Sequence, residues 1–71
     1  MWLERNYEEL ANAIIMQAVK DYRNALKKPD EIESAKVERE VKRFFRSSWF
    51  ATLTDIDPES LIVGLDAEVE L

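Results

Sequence analysis

Apolar side chains recur at three- and four-residue steps along the first third of the chain. This spacing places them on one side of a helix over roughly half of its circumference, wider than the stripe of an ordinary surface helix. The pattern predicts a helix over residues 6–28 that packs against two neighbours, or against one neighbour and a partner chain. Asn6 and Glu9 form a capping-box pair at its start, and Pro29 ends it because proline cannot continue the hydrogen-bond ladder. The positions of this apolar arc are Tyr7, Leu10, Ala11, Ile14, Ile15, Ala18, Val19, Tyr22, Ala25 and Leu26.

Start signals for three further helices follow along the chain. Asp30 begins a second capping-box sequence, and either Ser47 or Ser48 can cap a short third helix. Asp57 followed by Pro58 is typical of a helix start, with a cap residue and then a first-turn proline. The predicted ranges are residues 30–46, 48–54 and 57–69.

The order of these helices predicts the fold class. Two long helices joined by a short turn form an antiparallel hairpin. The two short C-terminal helices would then fold across it and close it. We therefore predict an all-α protein, a small helical bundle in which residues 1–71 form a single domain.

Composition removes most catalytic chemistry from consideration. The chain has no His and no Cys, so the common general base, the thiolate nucleophile and the usual zinc ligands are absent. Its single Gly cannot form a phosphate-cradling loop. Asp55, Asp57 and Glu59 are spaced as in a calcium loop, but Ser60 stands where that loop requires glycine. We predict a non-enzymatic protein with no catalytic residue, no cofactor and no metal site.

Charge is distributed unevenly within the net value of −5. Residues 1–54 hold all ten basic residues against nine acids, whereas residues 55–71 hold six acids and no base. The acidic segment either provides solubility and pairs with the basic end of the second helix, or imitates a nucleic-acid backbone. In the second case the protein would inhibit a nucleic-acid-handling protein; six acids are few for that role, which favours the first.

A basic face on the second helix offers candidate phosphate contacts. Four such contacts would give binding that weakens steeply with salt. The alternative is a solvated face whose cations suit the C-terminal end of a helix. The net negative charge favours the solvated face over nucleic-acid binding. The residues of this basic face are Arg39, Lys42, Arg43 and Arg46.

Aromatic side chains are concentrated at the end of the second predicted helix and the start of the third. Each buries roughly 150–250 Å² when it enters a core, and small domains are short of buried area, so a core role is favoured. An interface role is the alternative, because Trp and Phe also anchor protein–protein contacts. The clustered residues are Phe44, Phe45, Trp49 and Phe50. The candidate interface comprises Trp2, Tyr7, Tyr22, Trp49 and Phe50.

Two stretches, AIIMQAVKDYRNAL at residues 13–26 and FFRSSWFATLTDIDPESLI at residues 44–62, carry a family resemblance. The chain resembles small uncharacterised helical proteins carried by phages and integrative elements of Gram-positive bacteria. Pro58 follows the Asp-Ile-Asp turn where that group has glycine, and the last helix is acidic rather than basic. The resemblance implies an accessory, cytoplasmic, non-enzymatic protein of a mobile element and assigns no residue roles.

These observations favour a protein-interaction module that modulates a host or phage protein. The exposed part of the aromatic cluster and the wide apolar face of the first helix form its candidate surface, and a homodimer through that face is one form of the prediction. Nucleic-acid binding and nucleic-acid mimicry are the alternatives. No membrane association is predicted, because the apolar runs are far shorter than the roughly 20 residues that span a bilayer.

Overall fold

The protein is all-α, as the sequence predicts. The computed structural model describes the backbone of residues 2–70 and the side chains of residues 7–68. Within that part of the chain four helices occur, and no strand is found there. They are α1 (Trp2–Leu26), α2 (Ile32–Phe45), α3 (Ser48–Leu53) and α4 (Pro58–Glu70).

The predicted starts of α1 and α2 are wrong by a few residues. α1 begins at Trp2, so Asn6 lies inside the helix and does not cap it; the preceding residues include no Pro or Gly that would stop a helix. At α2 the N-cap is Glu31, whose side chain makes no capping hydrogen bond. The Glu31 amide instead bonds the Lys28 carbonyl at 3.1 Å, so Asp30 lies within the interhelical turn.

The end of α1 also differs slightly from the prediction. The helix ends at Leu26, and the Lys28 amide bonds the Ala25 carbonyl at 3.1 Å in a tightened last turn. A residue before proline is disfavoured in helical conformation, which removes Lys28 from the helix. α1 therefore ends two residues before its predicted end at Lys28.

The predicted caps of α3 and α4 are confirmed. Ser47 rather than Ser48 caps α3, accepting a hydrogen bond from the Phe50 amide at 3.2 Å. Asp57 accepts hydrogen bonds from both the amide and the hydroxyl of Ser60, at 3.0 and 2.7 Å. Pro58 is the first residue of α4, where its missing N–H costs nothing.

α1 and α2 form the hairpin, and α2 returns along the C-terminal part of α1. Their unequal lengths matter, since at 1.5 Å per residue α1 is about 37 Å long and α2 about 21 Å. The N-terminal part of α1 therefore extends past the end of α2. Tyr7 and Leu10 remain 49% and 60% exposed there, and the molecule is elongated, 45 × 21 × 21 Å.

The core lies where all four helices meet. Phe45 and Phe50 are fully buried and contact each other edge to face, with ring centroids 5.4 Å apart. Tyr22 is buried beside them, with its ring centroid 6.2 Å from that of Phe45. The core cluster comprises Ile15, Val19, Tyr22, Phe45, Phe50, Ile62 and Leu65.

Polar contacts attach α4 to the hairpin at both ends. The Tyr22 hydroxyl donates a hydrogen bond to Asp66 Oδ1 at 2.5 Å. Arg23 binds Glu68 through Nε and Nη2 at 3.0 and 3.1 Å. At the opposite end Arg46 binds both carboxylate oxygens of Glu59, at 2.7 and 2.9 Å. α4 therefore runs parallel to α1, from the α3 end towards the interhelical turn.

Candidate functional site

An open, largely apolar groove lies between α1, α2 and α3. Its volume is about 470 Å³. Six of its nine lining residues are apolar. Ala13 and Ala18 leave space on the α1 side because their side chains are small. The lining residues are Ala13, Ile14, Gln17, Ala18, Asp21, Glu40, Val41, Phe44 and Trp49.

The groove exists because the apolar arc of α1 divides between two environments. One half of the arc enters the core, represented by Ile15, Val19 and Tyr22. The other half faces the groove, where Ile14 and Ala18 are only partly buried. The wide arc predicted two neighbours for α1, and α2 covers the second half of it incompletely.

Trp49 borders the groove at its α3 end. Its side chain is 55% exposed, and its ring packs edge to face on Phe44, with centroids 5.5 Å apart. Phe44 in turn contacts Phe45 and Phe50, which fixes its position against the core. The exposed indole is therefore held on a rigid aromatic base, as expected for an anchor residue of an interface.

Two residues of the predicted interface belong to the core. Tyr22 is 0% exposed and Phe50 is 1% exposed, so neither side chain can reach a partner in this fold. Their assignment as interface residues is wrong, because Tyr22 packs against Phe45 of α2 and binds Asp66 of α4, and Phe50 packs against Phe44 and Phe45 of α2. Tyr7 and Trp49 are exposed as that prediction requires. Trp2 lies in α1, and its side chain falls outside the described residues.

The basic face of α2 is brought together in one shallow depression, which Ala35 and Glu38 also line. Arg46 is held by Glu59, and the hydrogen bond between them raises the pKa of the guanidinium and lowers that of the carboxyl. Lys42 Nζ lies 6.0 Å from the Tyr22 ring centroid, within reach of a cation–π contact. These contacts and the nearby Glu38 reduce the positive charge that a phosphate would meet.

The acidic segment makes several contacts within the protein. Glu59 and Glu68 pair with arginines, and Asp66 accepts the Tyr22 hydrogen bond. Asp57 caps α4, and its hydrogen bonds with Ser60 lower the pKa of the carboxyl. The interpretation in which this segment pairs internally with basic residues accounts for these contacts better than mimicry of a nucleic acid.

Burial raises the pKa of the Tyr22 hydroxyl above its ordinary value, and the hydrogen bond to Asp66 raises the pKa further. The group is therefore a neutral donor inside the core at physiological pH, with a structural role. Among residues 7–68 no three metal-ligating side chains come together. No helix in the described part of the chain is long and apolar enough to span a bilayer.

Comparisons with known proteins give no match to any family model, curated protein or solved structure. The function must therefore be argued from the surface of this molecule.

The sequence placed Ile14 and Ala18 on the wide apolar face of α1 that was predicted to be part of the interaction surface, but it did not indicate Val41 or the two carboxylates of the groove as parts of a site. The only signal for the groove was the width of the apolar arc, which indicates that a second surface exists without indicating how much of it α2 covers.

Proposed function

We propose that this protein is a non-enzymatic protein-interaction module that binds a partner in the groove between α1, α2 and α3. The observation that supports this proposal is the groove itself, an apolar surface beside the half-exposed indole of Trp49. Apolar patches with a polar rim are typical of interaction sites, and Trp is enriched among the residues that dominate binding energy.

Three features favour a binding role over catalysis. The chain has neither His nor Cys. Among residues 7–68, the titratable groups with altered pKa values are the Tyr22 hydroxyl, the α4 cap Asp57 and the Arg46–Glu59 ion pair, and none of them lines the groove. The groove is also open to solvent, whereas active sites usually enclose their substrate.

The biological setting stays a prediction. The resemblance to accessory proteins of phages and integrative elements implies a cytoplasmic partner from the host or the mobile element. Nucleic-acid binding through the basic face is the weaker proposal. Arg46 already forms an ion pair with Glu59, and Glu38 lies among the remaining cations. Nucleic-acid mimicry is weaker still, since Glu59, Asp66 and Glu68 of α4 make contacts within the protein.

Site-specific photo-crosslinking tests the groove directly. A photo-crosslinking amino acid at Gln17, on the groove, should capture a discrete partner from a lysate of the source cells. The same amino acid at Met16, which is exposed and absent from the groove lining, should not capture it.

A matched pair of charge substitutions provides the control. Ile14→Arg places a cation in the groove, whereas Val63→Arg places the same charge on an exposed position of α4. Capture through Gln17 should disappear with Ile14→Arg and persist with Val63→Arg, with both variants retaining the helical circular dichroism of the wild type. Equal capture from Gln17 and Met16, or capture indifferent to Ile14→Arg, would contradict the proposal.

A further inference from the structure

The charged side chains that line the groove are all acidic. They belong to Asp21 and Glu40. Neither takes part in an ion pair within residues 7–68, and Asp21 accepts a hydrogen bond from the neutral amide of Gln17. Asp21 lies about two turns along α1 from Ala13, towards the interhelical turn, whereas Trp49 belongs to the α3 end. Glu40 is the lining residue of α2 nearest the same turn, so the aromatic residues lie towards the α3 end of the surface and the acids lie towards the interhelical turn.

The shape of the groove favours a helical occupant. Along α1 it runs from Ala13 to Asp21, about 12 Å or two helical turns. Its walls are helices whose backbone groups are already bonded, so an extended segment would find no backbone partners there. A helix satisfies its own backbone and can place apolar residues at i, i+3 or i+4, and i+7 into such a groove.

The charge distribution argues against a second copy as the occupant. The projecting part of α1 offers Tyr7 and Leu10 as apolar anchors. However, residues 1–10 contain three Glu and one Arg, a charge of −2, and the whole chain carries −5. Docking this segment into the groove would bring acids towards Asp21 and Glu40, and like charges oppose association.

We propose that the groove binds an amphipathic helix of another protein that carries Lys or Arg beside its apolar face. The basic residues lie near Asp21 and Glu40, and the apolar residues lie against Val41, Phe44 and Trp49. This inference rests on the proposed function and specifies the chemistry of the partner. Binding is faster and tighter at low salt, because exposed charges are screened within about 10 Å at 0.1 M ionic strength.

Selection from a library of random peptides displayed on phage tests the proposal without a known partner. The library is selected on the wild-type protein after depletion on Ile14→Arg. Enriched peptides should combine helical apolar spacing with Lys or Arg. Fluorescence polarisation of the labelled peptides then gives their affinities. Asp21→Asn with Glu40→Gln should weaken binding roughly tenfold at low salt, through two ion pairs each contributing several-fold, and less at high salt. Val63→Arg should leave the affinity unchanged.

Each other result overturns the inference. Groove-dependent peptides that are neutral, acidic or extended, or that are indifferent to the Asp21 and Glu40 substitutions, contradict the partner chemistry while leaving the interaction module intact. A dimer in sedimentation equilibrium that Ile14→Arg abolishes and Val63→Arg does not would identify a second copy as the occupant. Absence of any groove-dependent peptide overturns this inference alone if crosslinking through Gln17 persists, and the proposed function as well if that crosslinking fails.

Discussion

At the scale of single residues, neighbouring aromatics have opposite roles. Phe50 is buried against Phe44 and Phe45, whereas Trp49 is half-exposed and its ring packs on that of Phe44. The sequence places both in one short helix and does not distinguish them. On a six-residue helix adjacent side chains point about 100° apart, so one of them faces the core and the other does not.

Alanine substitutions of Phe50 and Trp49 should show, by their different costs in stability, that Phe50 is a core residue and Trp49 a surface residue. Phe50→Ala is expected to cost about 3–5 kcal/mol through lost burial and a cavity, a large part of the roughly 5–15 kcal/mol that stabilises a small domain. Trp49→Ala should cost less, about 1–2 kcal/mol, because the indole is half-exposed and its edge-to-face contact adds about 0.5–1.5 kcal/mol to the burial of its covered part. Urea unfolding followed by circular dichroism measures both. Equal losses for the two variants would show that Trp49 is a core residue and would remove it as an anchor.

At the scale of helices, the observed N-caps show which of the predicted helix starts are correct. Ser47 and Asp57 each accept the amide three residues ahead. Both follow an interruption of the apolar pattern, so the preceding helix has already ended before each of them. Asn6 and Asp30 carry the same local signature and do not cap. The residues before Asn6 are themselves helix-compatible, and the turn after Pro29 takes up Asp30.

The α3 cap can be tested against its neighbour. Ser47 also donates to the Phe44 carbonyl at 2.6 Å, so it joins the end of α2 to the start of α3. Ser47→Ala is expected to lower the free energy of unfolding by about 0.5–2 kcal/mol. The matched Ser48→Ala change, at an exposed helical position, should have little effect. Thermal and urea denaturation distinguish the two, and a larger loss at Ser48 would contradict the observed cap.

At the scale of the whole molecule, α4 is held by contacts that are distant in sequence. Ile62 and Leu65 enter the core, and Asp66 receives the hydrogen bond from Tyr22 on α1. Two exposed ion pairs, Arg23–Glu68 and Arg46–Glu59, lie on either side of this contact. Exposed pairs contribute little individually, so the buried apolar residues and the Tyr22 hydroxyl hold α4 in place.

The Tyr22 contact predicts a specific loss of stability at high pH. Burial and Asp66 raise the pKa of the folded hydroxyl above the value of 10.0 that it has when unfolded. The unfolded chain therefore loses this proton first, so the stabilisation is complete below pH 10 and declines as pH rises beyond it. Tyr22→Phe should cost about 1–3 kcal/mol at neutral pH, the value of a hydrogen bond to a charged group, and this difference should shrink above pH 10.

Urea unfolding between neutral pH and about pH 11 measures this difference, with Tyr7→Phe as the control because Tyr7 is exposed. If wild type and Tyr22→Phe lose stability in parallel with rising pH, the hydroxyl is not the group responsible. A double-mutant cycle with Asp66→Ala then isolates the energy of the pair.

The sequence by itself determined four helices in this order, the cap at Asp57, a cap for α3 at either Ser47 or Ser48, and an apolar arc on α1 too wide for one neighbour. These features follow from short-range rules, because helical periodicity and capping depend on residues within a few positions of each other. Only the tertiary structure decided that Tyr22 and Phe50 are core, that Trp49 is not, and that Glu59 and Glu68 of α4 pair with arginines of the protein. Burial depends on where a neighbouring helix lies. The incomplete cover that the shorter α2 gives α1 leaves a groove that no local pattern specifies.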